Sequence, residues 1–519
     1  MVSLLLSGGV ALFDQDGYDF FIKRKFDHVR DVLKKGASET GRYRPVTTKE
    51  LIAFLGCLLA LSYGVMDTTA EEWGVPSGDD LVQPLNMHAR SGISLNRFNA
   101  ISEMITATKA LSTEHEKNDR YYDYRPLVDG FNDHYDAHFY PSWGVCIDES
   151  MFHWFGQGLP HVSFLPRKPK ALGTEMKTLC DYACGLLFRM EIQESNGAME
   201  GPLKTAKEKF GSGITKTIAS VMRLTEKLHR QTGPSGRRRV VIGDLWFASA
   251  PTELALNGVG LFFVGPVKTN TKNFPMQLLS TLVAEERGSS ACVHAVIGGV
   301  ALLPVAWRRR KAFKKRGKAV SGIYNMISTC SLPTPGPVAK FKRHSKDGKR
   351  VRDYEVARPL VFHLYHLLMP MVDQHNARRQ GHLALEQALR TKSAWHRFFC
   401  SFLGVIVINS FLLCKYFSAP TNPLKTMPQK KWVRKLPLEM MAQNLSSDVD
   451  SGEMGGAEEQ PFDFVKLAFS SAARRPVARA KLKSAERTVL KPPGRSQVLR
   501  HIAAPFLTKN ETTPRRGAA

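Results

Sequence analysis

Between residues 143 and 267 short apolar runs bounded by polar or turn residues recur, and they read as buried strands. WGVCIDESM (143–151) is bounded by Pro141 and a polar segment and reads as a buried strand ending in acid. VSFLP (162–166), EMKTLCDYACGLLFRMEIQE (175–194, with a turn at 183–185) and RVVIGDLWF (239–247) supply further strands, and LFFVGPV (261–267) another. Between them, Leu203 to Gln231 carries helical spacing. Strands, a crossover helix and more strands describe an α/β layer with helices on the faces of a sheet.

The flanks read differently. From Tyr18 to about Ala110 the pattern is helical, and KELIAFLGCLLALSYG (49–64) follows Pro45 and the candidate N-caps Thr47 and Thr48. Trp307 to Arg352 breaks the sheet pattern with WRRRKAFKKRGK, SLPTPGP and KFKRHSKDGKR; its 15 Lys or Arg face one acid, Asp347. Such a lopsided block is either a solvated face or a phosphate-tracking insertion. Helices resume at about 362–389 and 393–417. Ser401 to Phe417 is apolar but short and interrupted by Ser401, Asn409 and Ser410, so a buried helix is expected rather than a membrane span. Beyond Ala419, charged clusters with few aromatics predict little persistent structure.

At 519 residues and 43% hydrophobic, the chain is long enough for a sizeable core and two or three structural units. The net charge of +26 favours a polyanionic partner, nucleic acid or an acidic membrane surface, without choosing between them. Eight scattered cysteines suit buried thiols in a reducing compartment. The apolar opening MVSLLLSGGVALF lacks a basic n-region and is followed by Asp14 and Asp16, so no signal peptide is expected.

Phosphodiester chemistry with two metal ions needs hard oxygen ligands converging from different elements. Asp148 ends the run GVCI and Asp244 ends VVIG, so neighbouring strands would bring both acids to one sheet edge. Asp373 lies in the helical stretch MPMVDQHNARR and could close the site, with Asn376 on the same helix face. Each signal alone is also what a turn or helix cap would show.

The blocks around these acids resemble those of piggyBac-type transposases, in that family's order. CIDESM, FLPRKPKALG and LCDYACGLLFRMEI are similar to its first block, and GDLWFASAPTELAL with GLFFVGPVKTNTKNFP to its second. YHLLMPMVDQHN, before SAWHRFFCSFLGVIVINSFLL, is similar to its third; RPVTTKELIAFLGCLLALSYG, EEWGV and LNRFNAISEM match its helical lead-in. The resemblance spans about residues 18 to 417.

It implies a ribonuclease-H-like catalytic core, a mixed sheet flanked by helices, with Asp148, Asp244 and Asp373 as catalytic, Mg²⁺- or Mn²⁺-binding acids. It also implies a domain order: an N-terminal extension (1–17), a helical DNA-binding and dimerising domain (18–140) and a first core part (141–267). A basic insertion (268–360), C-terminal core helices (361–418) and a low-order charged tail (419–519) complete it. Three departures stand out. Asn376 replaces a frequent Asp and loses its charge, Pro370-Met371 replace Gly-Gly, and no cysteine follows Cys414, where some members have a zinc-binding tail.

The expected function is metal-dependent cleavage and strand transfer on double-stranded DNA, transposon ends and target, by a nuclear homodimer with no membrane partner. The alternative is a domesticated, catalytically inactive DNA-binding protein on the same fold. Arg308, Arg309, Arg310, Lys314, Lys315 and Arg316 are expected to hold phosphates, and Trp246 to stack on a base while Phe247 packs inside. No structural zinc is expected, because Cys180, Cys184 and His161 have no second ligand pair. His363, His366, His375 and His382 read as capping or solvated histidines. GSGIT (211–215) lacks the lysine and spacing of a phosphate loop, and KPPGR (491–495) is explained by a basic tail.

Overall fold

The computed structural model describes residues 44–445, with gaps of which the longest are 75–82, 106–118 and 345–350. The N-terminal extension, the start of the helical domain and the tail beyond 445, with its KPPGR, therefore lie outside the described residues. In chain order the longer helices are α1 (Thr48–Ala60), α2 (Leu95–Ile105), α3 (Arg125–His138), α4 (Glu200–Phe210), α5 (Lys216–Thr225) and α6 (Ala250–Gly258). They continue as α7 (Met276–Leu282), α8 (Leu360–Leu368), α9 (Pro370–Ala377), α10 (Ala394–Phe417) and α11 (Gln429–Ala442). The strands are β1 (Gly144–His153), β2 (Ser163–Phe164), β3 (Leu172–Asp181), β4 (Leu187–Ile192), β5 (Val240–Gly243), β6 (Phe262–Pro266), β7 (Ser290–Cys292) and β8 (Ala295–Ile297). After them come β9 (Val300–Leu302), β10 (Val305–Arg308), β11 (Phe313–Lys315), β12 (Lys318–Val320), β13 (Ile323–Ser328), β14 (Pro335–His344) and β15 (Val351–Pro359).

Two compact units result, one from described residues within 1–140, 149–202 and 371–474, the other within 141–148, 203–370 and 475–519. Strand β1 is shared, the division falling between Asp148 and Glu149. In the second unit the strand order is β1-β5-β6-β13-β10-β7. β1, β5 and β6 run parallel, which is why GVCI, VVIG and FFVG are apolar without alternation: both faces are covered. β13, β10 and β7 add antiparallel strands. All three come from the stretch read in the sequence as a basic insertion, so part of that stretch is sheet. Trp307 on β10 is 1% exposed, packs at a tilt against Phe362 of α8 and donates its indole N–H to Ala357 O at 2.7 Å.

In the first unit, the end of β1 lies beside β3, which pairs antiparallel with β2 and β4. Helix α10 is the one described helix long and apolar enough to cross a membrane, yet nearly all of it is buried within the protein. It is the core helix expected from the sequence. Its single amide is satisfied: Asn409 donates to Tyr135 Oη and Leu187 O and accepts from Leu187 N, so burying it strands no polar atom of the amide.

One expectation is corrected here. The low-order tail was placed at 419–519, but α11 is an ordered helix packed on α1, with Trp432, Val433, Leu436, Met440 and Met441 all buried. Those apolar positions recur at helical spacing beneath a largely basic exterior, which masks them in the composition. Pro370 also has a simple structural place. It starts α9, where its missing N–H costs no helical hydrogen bond within α9, and it separates α9 from α8.

Candidate metal centre

β1 and β5 run side by side with Ile147 opposite Gly243, so the next residue of each is an acid at the same level. Asp148 and Asp244 are thereby delivered together by two parallel strands, at the carboxyl end of β5. Asp148 and Asp244 each offer a carboxylate oxygen, and these two oxygens lie within 4.8 Å of each other. Asp148 is 3% exposed and Asp244 half-buried.

The loop after β5 holds Asp244 in place. Its Oδ1 accepts from Trp246 N at 2.8 Å, and its carbonyl accepts from Phe247 N and Ala248 N. Gly243 permits this turn: a Cβ there would meet Phe247 Cβ at 2.9 Å and the Phe263 ring at 3.1 Å. Ser249 then caps α6 by accepting from Thr252 N.

Glu149 was not singled out in the sequence, although it adjoins Asp148 in CIDES. Within its own unit it is neutralised from two sides, by Arg167 at 2.6 Å and by Lys177 Nζ at 3.2 Å. Lys177 is itself 2% exposed and also pairs with Glu175 at 2.6 Å. No spacing rule joins Arg167, Lys177 and Glu149, because they meet only through the β1–β3 neighbourhood. The signal available was the unusual lysine inside the buried strand EMKTLC.

Two like carboxylates at this separation repel by about 3.5 kcal/mol at an effective dielectric near 20, and a divalent cation between them reverses the sign. Oxygen-only donors are the set that Mg²⁺ and Mn²⁺ take. Asp148 and Asp244, brought to one level by neighbouring strands of one unit, offer such a donor set.

Asp373 belongs to the other unit, in the first turn of α9, where its mostly exposed carboxylate accepts from Lys168 Nζ at 2.9 Å. Asn376 is buried with its Oδ1 unpartnered. Four residues before Asp373, Met369 O accepts from Cys146 Sγ on β1 at 3.3 Å.

Of the expected DNA-binding residues, Arg308 is corrected. It is 8% exposed and donates Nε to Ala284 O at 2.7 Å, so its guanidinium is committed to backbone inside the unit. Arg309 lies over the Phe341 and Tyr324 rings, and Arg310 is exposed. Lys314 and Lys315 lie on the β11–β12 hairpin, and Arg316 falls outside the described residues. Trp246 is 36% exposed and edge-on to the fully buried Phe247.

The histidines of α8 and α9 are structural in their contacts. His363 lies 2.7 Å from Arg358, and burial pushes its pKa down to about 4. His366 bonds Phe362 O, and buried His375 bonds Asn409. Cys180 and Cys184 are buried thiols, raised by burial, and Cys184 Sγ donates to Asp181 Oδ2.

A family model described as Transposase IS4 matches residues 19–411. No curated protein sequence matches the chain. Among solved structures, the fold is similar to that of a piggyBac transposase synaptic complex with hairpin DNA, determined by cryo-EM. The likeness covers 92% of this chain and 86% of that one, at 16% identity and a TM-score of 0.62. The mixed sheet flanked by helices expected from the sequence is thus the fold found.

Proposed function

This chain belongs to the Transposase IS4 family, and from that premise we propose that it cuts and joins double-stranded DNA with divalent metal held by Asp148 and Asp244. The carrying observation is the parallel β1–β5 register that brings these two acids together. The solved relative was captured with hairpin DNA, which supports DNA as the partner class here. The net charge of +26 supports the same class.

Mg²⁺ or Mn²⁺, when bound, would stabilise charge on the attacking and leaving oxygens of an in-line displacement. The chain's own contribution is to position. Asp148 is clamped within β1, and Asp244 is fixed by the turn through Trp246. Asp373 is carried as the third acid on the family resemblance. Arg309, Arg310, Lys314 and Lys315 serve as phosphate contacts in this reading, while Arg308 supports the fold. Assembly as a homodimer, from the family resemblance, and residence in the nucleus, from the substrate and the basic clusters, are part of the same proposal.

The test is metal-dependent cleavage or strand transfer on DNA carrying the element's own terminal repeats. Asp148→Asn and Asp244→Asn should each lower the rate by about 10³-fold or more, since the lost stabilisation is several kcal/mol and each 1.4 kcal/mol is tenfold. Activity unchanged in both variants rejects the site. A second reading, a silent DNA-binding protein, is favoured by the neutral Asn376. It predicts salt-sensitive binding with no cleavage by the parent.

A further inference from the structure

Lys168 and Asp373 stand 205 residues apart in the chain but meet inside the first unit, Nζ donating to Oδ1 at 2.9 Å. The exposures of the two side chains run against the usual order. The lysine is 12% exposed and the carboxylate 64%, whereas a lysine ordinarily lays its stem on the surface and keeps its ammonium in water. The turn that carries Lys168 draws it in. Lys168 N donates to Leu165 O at 3.0 Å, Leu165 N donates to Ala171 O at 2.8 Å, and Pro166 and Pro169 each fix their own φ within the loop. The neighbouring Arg167 pairs with Glu149 of β1 at 2.6 Å and anchors the same turn. Lys168 is thus aimed at one acid by a built loop, unlike a mobile surface cation.

An ammonium and a divalent cation compete for one carboxylate: each takes the lone pairs that face it, and the two positive charges repel at this range. We propose that Lys168 is a positioning residue that stands in for the divalent cation at Asp373. It holds the carboxylate in the metal-free protein and gives it up when metal binds. The proposal rests on the reading above that Asp373 is the third acid of the metal centre. Only the fraction of molecules with the pair open offers Asp373 to a metal ion, so the pair lowers the apparent metal affinity by that fraction. An ion pair that merely braces the fold would leave metal affinity where it is.

Mn²⁺ binding by the full chain is measured by electron paramagnetic resonance in the parent, Lys168→Met, Asp373→Asn and the double variant. Lys168→Met keeps a long side chain and removes its charge. It should tighten Mn²⁺ binding about 2- to 5-fold, the change that one exposed lysine–carboxylate pair supports. In the Asp373→Asn background the same substitution should change nothing. Lys170→Met removes a charge two residues further along the same loop and should also change nothing. If the methionine variant loses thermal stability, Lys168→Gln, with its polar head, takes its place in the cycle. Unchanged or weaker Mn²⁺ binding in Lys168→Met, a gain that persists in the Asp373→Asn background, or an equal gain from Lys170→Met overturns the proposal. Mn²⁺ affinity unaltered by Asp373→Asn alone removes Asp373 from the metal centre, and this inference with it.

Discussion

Glu253 on α6 is fully buried, and neither carboxylate oxygen has a hydrogen-bond partner. Burial raises its pKa well above the ordinary carboxylate value, so the folded protein holds it neutral. In the unfolded chain the same group ionises above about pH 4.3. Stability is therefore undiminished below that pH and falls as pH rises toward the folded pKa, by up to about 1.4 kcal/mol per pH unit. Glu253→Gln removes the titration: thermal unfolding from pH 5 to 8 should show the variant gaining on the parent as pH increases. Parallel profiles would contradict this. At this scale the sequence was half legible. Asp148 and Asp244 could be found because each ends an apolar run, a pattern that survives without coordinates. The pairing of Glu149 could not, since Arg167 and Lys177 arrive from elsewhere. Arg308 was misjudged because a count of charges does not distinguish a guanidinium in water from one bonded to Ala284 O.

Among the elements, α1 and α11 pack closely against each other. Gly56 of α1 faces α11 so tightly that a Cβ would meet Met440 Cβ and Met441 N, both at 2.9 Å. Gly56→Ala should destabilise by about 1–3 kcal/mol through overpacking, although alanine favours an isolated helix by about 1 kcal/mol. Trp432→Ala, which empties the fully buried site on α11, should cost about 3–5 kcal/mol. Chemical denaturation measures both, and a stabilised Gly56→Ala would show that the two helices separate readily. The central strands were legible from their unbroken apolar runs. Helix α11 was hidden by lysines, arginines and Pro437, and β7, β10 and β13 by the charge around them.

For the whole molecule, the order of strand, crossover helix and strand was enough to anticipate an α/β layer, and the family resemblance named the fold that was found. Which distant segments share a compact unit was not legible: residues within 149–202 join those within 371–474 through packing that no local pattern encodes. What the chain does depends on one arrangement, two acids from separate strands set at the same level. Mn²⁺ binding followed by electron paramagnetic resonance reads that arrangement without requiring turnover. The account predicts that the parent binds Mn²⁺ and that Asp148→Asn and Asp244→Asn each weaken binding at least tenfold, with the fold intact. Equal Mn²⁺ affinity in the parent and both variants would contradict it.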